Sequence, residues 1–208
     1  MVASYLDLHI IDFCQLNCKH CYLKRNNENL TTMDIEMLKN ICNDFLNTDF
    51  PFSKKSIILS GGEPLLHPKF AEICELVRML VGSVRLSTNG ILIPKYIHLF
   101  RRWDGIQVSV DGDRRTHDFI RGQGSYDHAV NALFLLDEKR INHSVGFTIN
   151  CLNSNCVDHI INLCVNTGSM TLNLNLYHPV QSNEFIKPIT FKKWIEIKEY
   201  ATKRAEKL

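Results

Sequence analysis

No apolar run in this 208-residue chain approaches the roughly 18 residues of a membrane span, so no membrane association is expected. The first residues, MVASYLDLHII, lack a basic n-region and carry Asp7, so they do not read as a secretory signal. Neither sign of charge dominates. With 24 basic and 22 acidic side chains the formal net charge is +2, and there is no basic stripe or arginine-rich tail. That balance gives nucleic-acid binding no support. Linkers, low-complexity tracts and composition breaks are also missing. The expectation is one soluble, cytoplasmic domain over residues 1–208, with 45% hydrophobic residues to build its core.

Cysteine, by contrast, is plentiful: there are eight, in a compartment where disulfides are rare. Cys42, Cys74 and Cys164 fall within helical patterns and read as small buried hydrophobes. Cys151 and Cys156 flank a strand-to-helix turn, and two thiols are too few for a cubane. Cys14, Cys18 and Cys21 crowd into DFCQLNCKHCYL. Such a cluster points to a metal or to catalysis before a disulfide framework. Three thiolates suit an iron–sulfur cubane with one iron left open. The competing reading is a zinc knuckle that borrows His20, though His20 directly precedes Cys21 and the pair would reach one tetrahedral ion awkwardly.

Six strand-like segments, YLDLHIID, SIILS, SVRLSTN, IQVSVD, SVGFTIN and TLNLNLYH, alternate with helical ones. The helical stretches are MDIEMLKNICNDFL, HPKFAEICELVRML, PKYIHLFRRW, SYDHAVNALFLLDEKR, CVDHIINLCVNT and TFKKWIEIKEYATKRAEKL. This order implies βαβ units and a parallel sheet. The strands are not continuously apolar, as fully covered parallel strands are. Ile106, Val108 and Val110 alternate with Gln107, Ser109 and Asp111, and Leu172, Leu174 and Leu176 with Asn173 and Asn175. Period two places one greasy face under the helices and one polar face opposite. The fold class is therefore α/β, a partial (β/α)6 barrel with parallel strands and a polar lumen; the alternative is a flat doubly wound sheet. Either way, active sites gather at the C-terminal strand ends. Here those are the cysteine loop, SGGEP, STNG, SVDGD, TIN and YHP.

Taken together, Cys14-x3-Cys18-x2-Cys21 after the first strand, GGEP at Gly61–Pro64 after the second, and the segment Ser109–Leu133 after the fourth resemble the radical S-adenosylmethionine superfamily. The last segment resembles its peptide-modifying, SPASM-type branch. The likeness covers nearly the whole chain in the right order. It implies one [4Fe–4S] cluster held by Cys14, Cys18 and Cys21, its open iron chelated by the amino and carboxylate groups of S-adenosylmethionine. Gly61 and Gly62 would meet the methionine ammonium group, because glycine lets backbone come close to a ligand, with Glu63 anchoring the loop. Ser109 and Arg121 would bind ribose and carboxylate; arginine's planar fork suits the latter. Ser87 and Asn89 would be second contacts. His20 stands where the family often has an aromatic beside the adenine, and Leu176 would pack near the base, although alternation puts it on the helix-facing side. Plainer readings exist for each: GGEP as an ordinary turn, Asn89-Gly90 as a turn dipeptide, RGQG as a flexible connection with Arg121 solvated.

The activity implied is reductive cleavage of S-adenosylmethionine to a 5′-deoxyadenosyl radical, with electrons from a flavodoxin or ferredoxin. The Ser109–Leu133 segment favours a peptide or protein side chain as substrate. A small-molecule or cofactor precursor is the alternative, and a non-catalytic iron–sulfur or zinc protein a third reading. No cysteine follows Cys164, so no auxiliary-cluster domain is expected, which leaves room for a partner chain supplying that C-terminal region. The catalytic acid or base is unassigned. His117 and Asp118 are candidate substrate contacts, and Trp103 and Trp194 are expected in the core or an interface.

Overall fold

A computed structural model describes residues 2–23, 31–49, 53–179 and 184–207, with the side chains of Val2, Ala3 and Ser53 set aside. Six strands, β1 (Val2–His9), β2 (Ser53–Ser60), β3 (Arg85–Thr88), β4 (Gly105–Ser109), β5 (His143–Ile149) and β6 (Thr171–Leu176), lie side by side in chain order. Every neighbouring pair is parallel. The sheet curls into a half-barrel, and β1 and β6 do not pair with each other among the described residues. Parallel neighbours need long crossovers, and helices supply them: α1 (Ile35–Leu46), α2 (Phe70–Val81), α3 (Ile93–Tyr96), α4 (Arg114–Arg121), α5 (Ser125–Glu138), α6 (Val157–Asn166) and, after β6, α7 (Phe191–Ala205). Among the described residues no helix is long and apolar enough to cross a membrane.

The period-two pattern sorts as the sequence predicts. On β4, Ile106 and Val108 are buried while Gln107 and Ser109 are half-buried on the concave side. On β5, Val145, Phe147 and Ile149 are buried while Ser144 and Thr148 are half-buried. The convex face packs on Leu38 and Cys42 of α1, Ile73, Cys74 and Val77 of α2, and Ala129, Leu133 and Leu136 of α5. Each large side chain so buried contributes about 1.5–3 kcal/mol. A buried ion pair adds specificity: Arg78 of α2 meets Asp104 at 2.7 Å, and the other Asp104 oxygen accepts the Val84 N–H at 2.8 Å.

Three local expectations change. The segment 94–103 is not one helix: α3 is a single turn, a 3-10 turn follows over Ile97–Leu99, and the rest is irregular. The stretch running into RGQG, not among the helical segments of the sequence, is the helix α4, capped by Asp113, which accepts the Thr116 N–H at 2.8 Å. Of the two places expected for Trp103 the core is excluded, because it is 59% exposed at the N-terminal mouth of the half-barrel, whereas Trp194 is half-buried against the core.

Candidate active site

One cavity of about 1400 Å³ runs along the concave face, from the cysteine loop at the C-terminal strand ends to Trp103 and Met170 at the other end. Cys14, Cys18 and Cys21 all border it, as do His20, Gly61, Gly62, Ser87, Asn89, Ser109, Arg121 and Leu176. The sequence-predicted residues thus converge on one space. Glu63 is the exception.

The loop after β1 is held from two sides. Toward β2, the Gly62 N–H donates to the Ile11 carbonyl at 2.7 Å and the Glu63 N–H to the Phe13 carbonyl at 2.8 Å. A Cβ on Gly62 would sit 2.2 Å from the Phe13 oxygen, and one on Gly61, at φ +135°, 2.4 Å from the Ile11 oxygen. The glycine pair is therefore required by the close approach of the cysteine loop itself, a reason different from the ligand approach expected from sequence. Toward α4, the Lys19 N–H donates to the Ile120 carbonyl at 2.8 Å. The Lys19 ammonium reaches the Phe119 carbonyl at 2.6 Å and lies over the Phe119 ring.

Glu63 is buried beneath this junction. Its carboxylate accepts from the Thr88 hydroxyl at 2.8 Å, the Asn89 N–H at 2.9 Å and the Leu65 N–H at 3.2 Å, tying the end of β2 to the end of β3. Burial pushes its pKa up to about 7 against the pull of those hydrogen bonds. Asn89, so fixed, turns its amide toward the loop: Nδ2 lies 3.6 Å from the Cys14 sulfur, and Oδ1 accepts from Gln15 at 3.3 Å. The Leu16 N–H also donates to that sulfur, at 3.4 Å.

Asp111, quoted in SVDGD but given no role from sequence, is the electrostatic centre. Its side chain is 0% exposed. One oxygen takes the Arg121 Nε–H at 2.5 Å and His20 Nε2 at 3.1 Å; the other accepts the Thr148 N–H at 3.0 Å. Burial alone would raise its pKa, but the charges of Arg121 and His20 and the His20 hydrogen bond outweigh burial and hold the carboxyl well below the usual range. Burial, then Arg121, drives His117 down to about 4. That keeps its Nδ1 free to accept the Asp111 N–H at 3.0 Å. The only sequence signal for Asp111 was a carboxylate ending an alternating strand just before a glycine.

His117 and Asp118 are not placed to touch a substrate. Both are buried, and Asp118 accepts the N–H groups of Gly124 and Tyr126 at 2.9 Å each, organising the turn into α5. Along the lumen, the Gln107 amide donates to Ser87 at 3.4 Å and accepts from Asn173 at 2.7 Å. Gly146 makes this crossing possible, because a Cβ there would meet Gln107 Nε2 at 2.8 Å. Leu176 is half-buried, on the opposite face of β6 from Asn173 and Asn175.

The sequence matches the radical SAM superfamily over residues 8–164. The chain belongs to that superfamily. Fe-coproporphyrin III synthase of Methanosarcina barkeri is 31% identical over 155 residues, 72% of this chain and 38% of that protein. The sporulation killing factor maturation protein SkfB of Bacillus subtilis is 26% identical over 166 residues, 78% of this chain and 40% of that one. In fold, Streptococcus suis SuiB bound to S-adenosylmethionine superposes with a TM-score of 0.84 at 16% identity, covering 99% of this chain and 48% of that chain. The chain therefore spans about two fifths of the length of the sequence relatives it matches.

Radical SAM proteins are enzymes, and the family implies a [4Fe–4S] cluster and S-adenosylmethionine. The chemistry of the thiol donors suits the cluster. Three soft thiol donors border one cavity, two N–H groups already reach the Cys14 sulfur, and a guanidinium lies close enough to lower the Cys18 pKa. Burial nevertheless dominates there and pushes the Cys18 thiol up to about 11. Metal coordination is what makes such a thiol a thiolate.

Proposed function

We propose that this chain is the core of an enzyme that cleaves S-adenosylmethionine reductively and uses the radical to modify a peptide or protein side chain. The observation that carries the reading is the shared cavity: the three thiols, His20, Ser109 and Arg121 all border one space that continues along a polar lumen. When bound, the cluster and S-adenosylmethionine supply a 5′-deoxyadenosyl radical able to take hydrogen from an unactivated C–H bond. The chain's own residues position and shield that chemistry. Cys14, Cys18 and Cys21 hold the cluster. The Gly61–Gly62 backbone, kept in place by Glu63, meets the methionine end together with Asn89 and Ser87. Ser109 takes the ribose, Arg121 the carboxylate, and His20 and Leu176 flank the adenine.

A peptide substrate is supported by SkfB, a maturation protein, and by the lumen itself. Its middle is lined by hydroxyls and amides, from Ser87 through Gln107 to Asn173, which match the hydrogen bonding of a peptide backbone. The second reading, a tetrapyrrole or related small molecule, is favoured by Fe-coproporphyrin III synthase and by the pre-heme d1 synthase of Dinoroseobacter shibae, 29% identical over 159 residues. A flavodoxin or ferredoxin would deliver the electron. Domains beyond this core would come from further sequence or from a partner chain.

The test is anaerobic reconstitution with iron and sulfide, reduction by dithionite, and mass spectrometry for 5′-deoxyadenosine. Its formation supports the reading. Stoichiometric zinc with no cleaved nucleoside points to a non-catalytic protein. Adding in turn a peptide encoded beside the gene and coproporphyrin separates the substrate classes by which one loses hydrogen.

A further inference from the structure

Asp111 lies below the rim and is not among the residues bordering the cavity, yet it touches two that are. These come from different parts of the chain: His20 from the cysteine loop and Arg121 from the last turn of α4. The two bonds decide what each side chain has left to offer. Arg121 is held through Nε, so its bond to Asp111 leaves the two terminal nitrogens for other partners. His20 faces the carboxylate with Nε2. Its Nδ1 is buried and has no hydrogen-bond partner. An orphaned buried ring nitrogen is costly unless something completes it.

We propose that Asp111 is a positioning residue for S-adenosylmethionine: through one oxygen it orients the Arg121 fork toward the carboxylate of the cofactor and fixes the His20 ring, with Nδ1 turned away from Asp111, on the adenine side. The inference rests on the reading of Arg121 and His20 given above. It makes the cysteine loop and α4 one unit, because His20, adjacent to Cys21, and Arg121 are set by the same buried anion. The other Asp111 oxygen is pinned by the Thr148 N–H of β5, so the carboxylate cannot rotate to follow either partner.

The experiment compares Asp111→Asn, Arg121→Ala, His20→Ala, Arg121→Lys and the Asp111→Asn/Arg121→Ala double variant, each reconstituted anaerobically. Three quantities are read: iron content, S-adenosylmethionine affinity by calorimetry, and the change in the electron paramagnetic resonance spectrum of the reduced cluster on adding S-adenosylmethionine. Asp111→Asn should keep its iron, lose affinity roughly tenfold or more, as supporting partners of site ligands do, and show a diminished spectral change. In the double variant the loss should exceed that of Arg121→Ala, because His20 is also released, but fall short of the sum of the two single losses. Wild-type affinity in Asp111→Asn, or additive losses, overturns the proposal. If Asp111→Asn does not fold, Arg121→Lys decides: a lysine keeps the charge but cannot serve Asp111 and the cofactor together, so unchanged affinity there overturns it as well. Unchanged affinity in both Arg121→Ala and His20→Ala would instead remove the underlying reading.

Discussion

Glu63 carries a pH signature of its own. Its folded-state pKa of about 7 lies above the ordinary glutamate value, so the folded protein binds the proton more tightly than the unfolded chain. The stability that this difference contributes is fully present below about pH 4.3 and is lost as pH rises through about 7. Denaturation of the wild type should therefore show a decline between about pH 5 and pH 8, on the order of 1–3 kcal/mol, that is missing in Glu63→Gln. Glu63→Gln should also be less stable at low pH, because its amide would set a donor against the Asn89 or Leu65 N–H. At Cys18 the expected outcome is sharper: Cys18→Ala should lose iron and the broad absorbance near about 400 nm, and a coloured, iron-replete variant would remove that ligand from the set. The cysteines stood out in the sequence through their close spacing, and Arg121 only through the family resemblance. Asp111 did not, because its partners, His20, Arg121 and Thr148, lie 91, 10 and 37 positions away along the chain and meet only once the sheet has curled.

Among elements, the junction between the cysteine loop and the turn after β2 is the most exacting. A methyl group at Gly62 would overlap a backbone carbonyl, which cannot swing aside as a side chain can. Gly62→Ala should destabilise the protein by about 1–3 kcal/mol, as other overpacked sites do, and should lower iron incorporation as the loop shifts. Chemical denaturation and iron analysis check both effects. The strands were legible because alternation on β4 and β5 follows directly from one wet and one dry face. Helix α4 was not. Its buried face is His117, Asp118 and Ile120, one apolar residue beside two polar ones held by hydrogen bonds, so hydrophobic periodicity could not find it. The start signal, Asp113 three residues ahead of the Thr116 N–H it caps, was present but unread. In the stretch 94–103 the apolar residues suggested a helix, yet Pro94 sits in the first turn and only one residue of α3 is buried, too little to extend it.

For the whole molecule, a bound ligand that touches both the cysteine loop and β4 should stabilise the fold by mass action. At a hundredfold excess over its dissociation constant, S-adenosylmethionine should add about 2.7 kcal/mol and raise the reconstituted protein's melting midpoint by several degrees. Arg121→Ala should lose most of that rise at the same concentration, while a full rise would show that the ligand binds without it. The sheet's curl has one more consequence. With β1 and β6 unjoined among the described residues, a short-lived radical made at the rim would face bulk water wherever nothing else covers that side. A snug guest there would act as a wall, so reduced enzyme left alone should squander its cofactor, and a guest should make each cleavage count.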